Sequence, residues 1–504
     1  MKLRFLMTWL SARARQRRVL EFAAVLAALV CAGSVLAAEL DPARLARIRP
    51  AMQEFVDRGE IAGAVTLVGR RDRIASVEAV GYQDLDKKVP MRPDSLFRIA
   101  SMTKPVTAVG IMILVDEGKL SVDDPVEKHL PEFRDQPSVG ARQLKSGAKN
   151  GSPTKPSRPI TVRDLLTHTS GMPGGLPPAL AGLYLKRDRT LAEGVKLFAR
   201  EPLEFEPGTK WAYCNIGIDT LGRIIEVVSG QSYEGFLQRR VFDPLGMADT
   251  CFYPTAEQLK RVAVTYGVEK GKLAASKGDI IGLLPGAKYP IPAGGLYSTA
   301  GDLARFYQLM LNRGTLAGKR VLSPESVKTM TQVQTGELTS GFTPGMGFGF
   351  GWAVVRKPEG VTAMLSKGSF GHGGAFGTQG WIDPEKDLVM VLMIQRIGLP
   401  NADASPMRRE LQTIAVSALG SPQDGRVVVT GIISVDEKRI VLLASRATGD
   451  RRRLQEGETF EFGRTRGKIV RIGEREIEIE INGQRRTVPL GGVLDDPVKP
   501  SGAK

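Results

Sequence analysis

The stretch SMTKPVTAVGIMILVDEG, residues 101–118, decides the fold of this chain. Apolar residues recur in it at helical spacing and Gly118 closes the pattern, so we predict a helix. Residues three apart share a helix face, so the Lys104 amine is expected to approach the Ser101 hydroxyl. A neutral or desolvated lysine can then take the serine proton and activate a weak nucleophile. The unpaired N–H groups of the first turn favour the negative charge that develops.

Ser-x-x-Lys is a weak pattern by itself, and the chain contains four copies of it. The copies that begin at Ser146, Ser152 and Ser501 lie in stretches rich in Gly, Pro, Ser and Lys, without an apolar period. The Ser101 copy is the one followed by a helical pattern. Its alternative interpretation is a helix-capping serine beside a surface lysine.

Tyr213 and Asn215 form a second candidate element. Side chains two apart in an extended segment point the same way. A nearby lysine is expected to lower the pKa of Tyr213, so that its phenolate serves as a general base. The Asn215 amide is expected to hold that lysine and a substrate carbonyl. The alternative is a purely structural pair.

Residues 371–377, GHGGAFG, form a third candidate element between two predicted strands. Glycines there let a substrate approach the strand backbone closely. The backbone N–H of Ala375, with that of Ser101, is expected to form an oxyanion hole. The alternative is a glycine-rich hairpin turn. The residues expected to orient the substrate here are His372, Gly373 and Gly374.

Composition excludes several classes of function. The net charge of +16 is spread along the 504 residues without basic and aromatic residues interleaved, so no nucleic-acid partner is expected. His129, His168 and His372 are not spaced for a zinc site, and no metal is expected. The absence of Gly-x-Ser-x-Gly disfavours a His-based triad on an α/β-hydrolase fold. His168 is expected to hold local structure.

The pattern of residues 1–38 is typical of a targeting segment. A basic stretch ends at Arg18 and an apolar run of 17 residues, 22–38, ends in small residues. This pattern predicts a signal peptide and export to the periplasm or the medium. Because the run is short for a membrane span, an inner-membrane anchor is the alternative. Cleavage would leave Cys214 and Cys251, for which one disulfide is possible.

Residues 39–420 are predicted to form one mixed α+β domain. Strand patterns lie at both of its ends and helical patterns lie between them, which indicates an antiparallel sheet flanked by helices, with a mainly helical region inserted. Residues 136–159, rich in Gly, Ser, Lys and Pro, are predicted to be a loop. The strands are predicted at 64–68, 74–77, 347–356 and 387–394, and helices at 221–228, 303–311 and 408–418.

A small all-β domain is predicted at 427–491, after a linker at 421–426 and before a flexible tail at 492–504. Its short β-rich runs include an Asn482-Gly483 hairpin turn before the last strand. The module faintly resembles the periplasmic β domains of type II secretion and type IV pilus assembly proteins. We expect this domain to dock the protein to a partner in the cell envelope, or to stabilise the protein.

The collinear order of the three elements resembles the serine β-lactamase and penicillin-binding protein superfamily, over residues 45–415. Class C β-lactamases and family VIII carboxylesterases show the strongest resemblance. It implies a β-lactamase/transpeptidase-like fold with Ser101 as the acylated nucleophile. Lys104 and Tyr213 would transfer protons, and Asn215 would orient the reacting groups. Supporting segments are FRIA at 97–100, ITVRDLLTHTSG at 160–171, FDPLGM at 242–247 and AGGLYS at 293–298.

The chain departs from class C β-lactamases at the third motif. His372-Gly373-Gly374 stands where that class has Lys-Thr-Gly, so a largely neutral imidazole replaces a cation. This lowers the expectation of β-lactam turnover and favours an uncharged ester or amide.

We therefore expect an exported serine hydrolase, carboxylesterase-like, without metal or organic cofactor, acting on a small ester or amide or on a cell-wall-derived substrate. The alternatives are a β-lactamase, a D-alanyl-D-amino-acid peptidase on cell-wall peptides, or a non-catalytic binding or assembly protein.

Overall fold

A computed structural model describes residues 40–137, 155–175, 177, 180–276, 286–419, 427–435, 438–445, 451–462, 465–481 and 483–494. They fall into two compact units. One is Asp41–Ala418, and the other is the described part of Met1–Leu40 and Leu419–Lys504. The predicted signal peptide, the linker 421–426 and the core of the loop 136–159 lie outside the described residues.

The first unit is built on an antiparallel sheet of eight strands. Their spatial order is Met346–Phe348 (β10), Ala353–Val355 (β11), Phe370–Gly373 (β12), Gln379–Asp383 (β13), Leu388–Met393 (β14), Gly63–Gly69 (β1), Ile74–Asp84 (β2) and Val89–Pro90 (β3). Its two halves come from opposite ends of the unit and join where β1 pairs with β14, with Val65 opposite Met393 and Gly69 opposite Val389. The strands of this unit are β1 Gly63–Gly69, β2 Ile74–Asp84, β3 Val89–Pro90, β4 Phe97–Arg98, β5 Tyr266–Glu269, β6 Lys272–Ala275, β7 Tyr297–Ser298, β8 Thr315–Leu316, β9 Lys319–Arg320, β10 Met346–Phe348, β11 Ala353–Val355, β12 Phe370–Gly373, β13 Gln379–Asp383 and β14 Leu388–Met393.

Most helices of this unit lie between β3 and β10 in the chain. The helix Thr103–Asp116 is buried on all sides from Thr103 to Leu114, which is why its sequence is apolar all round. It packs against Asn215–Ser229, while Ala300–Leu311 packs on β14 and β1. The α-helices are Pro42–Leu45, Ile48–Asp57, Thr103–Asp116, Val126–His129, Val162–Thr167, Ala181–Lys186, Leu191–Phe198, Asn215–Ser229, Tyr233–Leu237, Asp243–Leu245, Ala256–Leu259, Ala300–Leu311, Pro324–Thr331 and Pro406–Ser417.

The predicted fold class is confirmed: an antiparallel sheet whose helical region is inserted mid-sequence. The single strand predicted at 347–356 is wrong, because the chain turns between β10 and β11. Gly351 has a left-handed φ of 74° there. A Cβ on Gly349 would lie 2.2 Å from the Met330 carbonyl oxygen. Glycine therefore lets the chain reverse within what looked like one apolar run.

Three observations bear on the remaining expectations. Cys214 and Cys251 are unpaired, so the possible disulfide is not formed. In the part of the chain that the structure describes, no helix combines the length and apolar character that crossing a bilayer requires. The same described residues contain no group of three His, Cys, Asp or Glu side chains placed to bind a metal ion.

The second unit consists of two small antiparallel sheets. One contains Val427–Val435 (β15), Lys438–Ser445 (β16) and Arg451–Leu454 (β17), and the other contains Thr459–Phe462 (β18), Thr465–Ile472 (β19), Glu476–Ile481 (β20) and Gln484–Pro489 (β21), in these orders. The alternating run at Glu476–Ile481 buries its isoleucines and pairs with the final strand, as its pattern predicts. The three arginines of β17 carry no apolar signal, and this exposed edge strand was not predicted. The strands are β15 Val427–Val435, β16 Lys438–Ser445, β17 Arg451–Leu454, β18 Thr459–Phe462, β19 Thr465–Ile472, β20 Glu476–Ile481 and β21 Gln484–Pro489.

The predicted start of a flexible tail at residue 492 is wrong for 492–494. The Gly492 carbonyl accepts from the Val429 N–H at 3.0 Å, and the Leu494 N–H donates to the Val427 carbonyl at 2.8 Å. Leu494 is fully buried in the core of this unit. The rest of the predicted tail lies outside the described residues.

Candidate active site

Ser101 lies in a tight turn at the entrance of the long buried helix. The 3₁₀ turn Ala100–Met102 leads directly into Thr103–Asp116. Ala100 has a left-handed φ of 44°, which is strained for a residue with a side chain. The Thr103 hydroxyl donates to the Ala100 carbonyl at 2.7 Å and holds this conformation. The turn thus presents the Ser101 hydroxyl at the N-terminal end of the helix.

Lys104 lies beside Ser101, as the spacing predicts. Its Nζ donates to Ser101 Oγ at 3.0 Å and to the Ala293 carbonyl at 2.7 Å. The side chain is fully buried, and burial lowers the pKa of Lys104 to about 7, although Asp219 acts in the opposite direction. A large fraction of the amine is therefore neutral near pH 7, and its lone pair can accept the serine proton.

Tyr213 completes a cluster with these two residues. The Lys104 Nζ lies 4.7 Å from the centre of the Tyr213 ring. Burial raises the pKa of Tyr213 well above its usual range, and the interaction with Ser101 only partly offsets this. This direction is opposite to the expected one, because desolvation outweighs any help from the lysine. Tyr213 is thus a neutral phenol that can pass a proton on, and not a phenolate base.

His168 fixes the segment that carries Tyr213. Its Nδ1 accepts from the Cys214 N–H at 3.1 Å, and its carbonyl accepts from the Ala212 N–H at 2.9 Å. The two ring centres of His168 and Tyr213 are 4.6 Å apart. The expectation that His168 holds local structure is confirmed. It does so on both sides of the tyrosine.

Asn215 begins the helix Asn215–Ser229 and is partly buried. The expectation that its amide holds the lysine is wrong. The recorded hydrogen bonds of Lys104, among the described residues, go to Ser101 and the Ala293 carbonyl. A contact of Asn215 with a substrate carbonyl stays a prediction.

His372 lies buried on β12, opposite Gly380 of β13. Its Nδ1 is 2.7 Å from the Gly373 carbonyl, which can only accept, so Nδ1 carries the proton and Nε2 is an acceptor. Burial and the Lys104 charge lower the pKa of His372 to about 4. The imidazole is therefore neutral, as the sequence comparison with Lys-Thr-Gly predicts.

The glycines of the third motif bring the next turn against the Ser101 turn. A Cβ on Gly374 would lie 2.5 Å from the Ile99 carbonyl oxygen, so only glycine allows this approach. Phe376 packs against Ala100. Ala375 lies exposed between these two contacts. The structure thus places Ala375 in the turn that borders the nucleophile, and its pairing with Ser101 as an oxyanion hole stays a prediction.

Arg408 is a site residue that the sequence reasoning missed. It is buried and shares a cavity lining with His372 and Gly373. Its guanidinium lies 3.9 Å from the centre of the Trp381 ring, and Nη1 donates to the Asp403 carbonyl. Nε and Nη2 have no hydrogen-bond partner among the described residues. Burial lowers the pKa of Arg408 to about 9.

A sequence signal for Arg408 existed. It lies three residues before Leu411 and seven before Ala415, on the apolar stripe of the helix Pro406–Ser417. An arginine on such a stripe is rarely fully buried unless it is paired, so its position there is informative.

Aromatic rings line the open side of Tyr213. The ring of Phe342 lies 4.9 Å from that of Tyr213 and 5.8 Å from that of Trp211, and Phe348 packs behind Trp211 at 5.7 Å. Phe342 is 48% exposed, which is high for a phenylalanine. The approach to the cluster is therefore apolar, which suits an uncharged substrate.

Comparisons with known proteins agree with this geometry. The Beta-lactamase family model matches residues 48–413. Protein Rv1367c of Mycobacterium tuberculosis (strain ATCC 25618 / H37Rv) is 36% identical over 375 residues, 70% of this chain and 90% of that protein. Esterase EstB of Burkholderia gladioli is 31% identical over 384 residues, 70% of this chain and 91% of that protein.

Among solved structures, this chain resembles EstCE1, described as a hydrolase with promiscuous acyltransferase activity. The TM-score is 0.61 at 27% identity, over 75% of this chain and 99% of that chain. The family match falls within the unit Asp41–Ala418 and includes all three motifs. The chain belongs to the Beta-lactamase family, within the serine β-lactamase and penicillin-binding protein superfamily.

Proposed function

We propose that this protein is an exported serine hydrolase that acts on uncharged esters or amides through an acyl-enzyme at Ser101. The contact between the buried Lys104 amine and Ser101 Oγ, at 3.0 Å, carries the proposal. A lysine whose pKa is about 7 is matched to proton transfer near neutral pH.

In the acylation step, neutral Lys104 takes the Ser101 proton while Oγ bonds to the substrate carbonyl carbon. The N–H groups of Ser101 and Ala375 hold the oxyanion in this scheme. The intermediate collapses as the carbon–oxygen bond of the ester breaks. The Tyr213 hydroxyl gives its proton to the leaving alcohol and regains one from Lys104.

In the deacylation step, water attacks the same carbonyl carbon. Its proton passes through the Tyr213 hydroxyl to Lys104, which is neutral again after the alcohol has left. Collapse releases the acid and returns the proton to Ser101. This assignment makes Lys104 the base in both steps, because the raised pKa of Tyr213 keeps it a phenol.

The esterase preference rests on the neutral His372 and the apolar approach beside Phe342. It is in line with the names of two similar proteins, Esterase EstB and the hydrolase EstCE1. The test is parallel steady-state kinetics with p-nitrophenyl butyrate and nitrocefin on the mature protein and on Ser101→Ala. We expect serine-dependent ester turnover and slow nitrocefin cleavage. Ester turnover that survives in Ser101→Ala would contradict the mechanism, and faster nitrocefin cleavage would reassign the substrate.

Arg408 favours a second candidate function, hydrolysis of a substrate that bears a carboxylate, such as a β-lactam or a peptide ending in a D-amino acid. Its side chain lines the same cavity as His372 and Gly373 and offers the cation that His372 does not. Two of its guanidinium nitrogens have no hydrogen-bond partner among the described residues. A D-alanyl-D-alanine peptide and its methyl ester distinguish the candidates. Preference for the free carboxylate that disappears in Arg408→Met would support the second one.

We also propose that the β unit docks the enzyme to a partner in the cell envelope. This proposal is supported by the separate unit, with its own apolar core, that the sheets β15-β17 and β18-β21 form. Export is proposed from the sequence of residues 1–38. Fractionation of cells that express the tagged full chain tests both proposals together.

A further inference from the structure

Asp219 is a buried carboxylate that the proposed reaction does not use. It lies one helical turn after Asn215 on the helix Asn215–Ser229 and is fully buried. Oδ2 accepts from the hydroxyls of Tyr184 at 2.6 Å and Tyr289 at 2.8 Å, and Oδ1 accepts from the Ala293 N–H at 2.8 Å. Burial raises the pKa of Asp219 only to about 6, because these donors favour the charged form. The carboxylate is therefore ionised at neutral pH.

Ala293 connects Asp219 to the catalytic lysine. Its N–H donates to Asp219, and its carbonyl accepts from Lys104 Nζ at 2.7 Å. The neighbouring Pro292 carbonyl accepts from the Thr107 hydroxyl at 2.8 Å. The segment 292–293 is thus held between the nucleophile helix on one side and the carboxylate on the other.

The chain around Ala293 is tightly constrained, which makes the connection stiff. A Cβ on Gly295 would lie 1.8 Å from the Pro290 carbonyl oxygen, so the turn needs glycine. Ile291 has a left-handed φ of 56°. The Leu296 N–H donates to the Thr103 hydroxyl at 3.2 Å. A change at Asp219 is therefore transmitted to the Ala293 carbonyl and not absorbed by a flexible loop.

Asp219 is the charged group that acts most strongly on the pKa of Lys104. The groups that raise the pKa of the lysine are Asp219, first, and Cys214. Burial raises the pKa of the Cys214 thiol to about 12, so it is uncharged. Neighbouring His168 and His372 are neutral because burial lowers the pKa of each, and Tyr213 is a neutral phenol.

The groups that face Asp219 are likewise uncharged, apart from Lys104. Burial raises the pKa of Tyr184, Tyr289 and Tyr233 well above the usual range of tyrosine. Asp219 is thus the group, among these neighbours, that supplies negative charge to the lysine.

We propose that Asp219 is a positioning residue for Lys104, which holds the Ala293 segment in place and supplies the negative charge that keeps the lysine partly protonated. The inference rests on the proposed function, because it assigns Lys104 as the base for Ser101. A structural role alone would require the hydrogen bonds of Asp219 and not its charge. Asp219→Asn separates the two, since an amide oxygen can still accept from the Ala293 N–H.

The test measures the rate at which a fluorophosphonate probe labels Ser101, between pH 5 and pH 9. In this reaction Ser101 Oγ bonds to phosphorus, fluoride leaves and the serine proton passes to Lys104. The wild-type rate is expected to rise through about pH 7. Loss of the negative charge lowers the pKa of Lys104, so Asp219→Asn should move this rise to lower pH by about one unit. Its plateau at high pH should stay within about threefold, as expected when the hydrogen bond is kept.

Asp302→Asn is the matched control. Asp302 is also a buried carboxylate with a raised pKa, and it accepts from the Asp249 N–H at 2.8 Å and the Thr250 hydroxyl at 2.9 Å. It lies on the helix Ala300–Leu311, outside the cluster around Lys104. Its replacement should leave the pH profile of labelling unchanged.

Tyr184→Phe keeps the test decisive if Asp219→Asn does not fold. It removes one donor to Asp219, which raises the pKa of the carboxylate and leaves the Ala293 contact intact. In this variant the rise in labelling should also move to lower pH, because Asp219 loses its charge at the acid end of the range. An unshifted profile in the variant that folds would overturn the inference while the wild-type labelling upholds the proposed function. A wild-type Ser101 that does not label overturns the proposed function instead.

Discussion

The two units of this protein differ in the burial of their charged side chains. In Asp41–Ala418, Lys104, Asp219 and Arg408 are buried, and each has a pKa displaced from its usual value. In the β unit the charges stay near the surface, where Glu480 lies 3.4 Å from Arg485 across neighbouring strands. Such exposed pairs contribute about 0–1 kcal/mol each and exist without demanding a function.

Several buried polar groups around the candidate site lack full compensation. His372 Nε2 and two Arg408 nitrogens have no partner among the described residues, and each such group costs about 1–3 kcal/mol. Ala100 adds backbone strain of about 1–3 kcal/mol beside Ser101. Costs of this kind are typical of binding or catalytic sites, so they agree with the proposal that the chemistry belongs to Asp41–Ala418.

Lys104→Met should have the largest effect, because it removes the amine and keeps the length of the side chain. We expect kcat/KM for p-nitrophenyl butyrate to fall about 10⁴-fold. Lys386→Met is the control, since Lys386 Nζ also donates to a serine hydroxyl, that of Ser366, at 2.6 Å. Equal losses in both variants would show that burial and strain do not mark the active site.

Tyr213→Phe should have the next largest effect. It removes the hydroxyl that relays protons in the proposed mechanism and keeps the ring that packs against His168 and Phe342. We expect kcat to fall about 10²-fold with an unchanged melting temperature. A fall in stability with full activity in the surviving folded fraction would make Tyr213 structural.

The pH dependence of the wild-type enzyme should show the buried lysine directly. In the proposed mechanism the base is neutral Lys104, whose pKa burial lowers to about 7, so activity should rise with pH through this value. We expect kcat/KM to fall about tenfold per pH unit below pH 6, where the amine is protonated. A profile that is flat between pH 5 and pH 8 would contradict the assignment of Lys104 as the base.

Removal of the β unit should have the smallest effect on chemistry. Its core residues, such as Val441 and Ile479, belong to a cluster of that unit alone. A chain that ends after Leu419 should keep the wild-type kcat/KM on p-nitrophenyl butyrate while its cell fractionation changes. A large loss of turnover in a truncated chain that still folds would contradict the proposal that Asp41–Ala418 alone carries out the chemistry.

The sequence predicted the parts of the site that depend on short spacing. Ser101 and Lys104 are three residues apart on a helix, so their contact follows from helical geometry. An antiparallel sheet was predicted because apolar runs at both ends of the unit indicate strands, but its number of strands was not predicted. Strand β17 was not predicted because its arginines do not form an apolar run.

The parts that depend on long-range contacts were not predicted. The Lys104 partner Ala293 is 189 residues away in the chain, which no local pattern reports. The pKa of Tyr213 depends on burial by distant segments, so reasoning from the lysine alone gave the wrong direction. Arg408 reaches the cavity from a helix after the last strand of the sheet.

Trapping the acyl-enzyme tests the role of Ser101 as nucleophile most directly. The protein is mixed with p-nitrophenyl butyrate, quenched in acid before deacylation is complete, digested and examined by peptide mass spectrometry. We expect one butyryl group on the peptide that contains Ser101, and none in Ser101→Ala. Ester turnover with that peptide unmodified, or with the acyl group on another residue, would contradict this role.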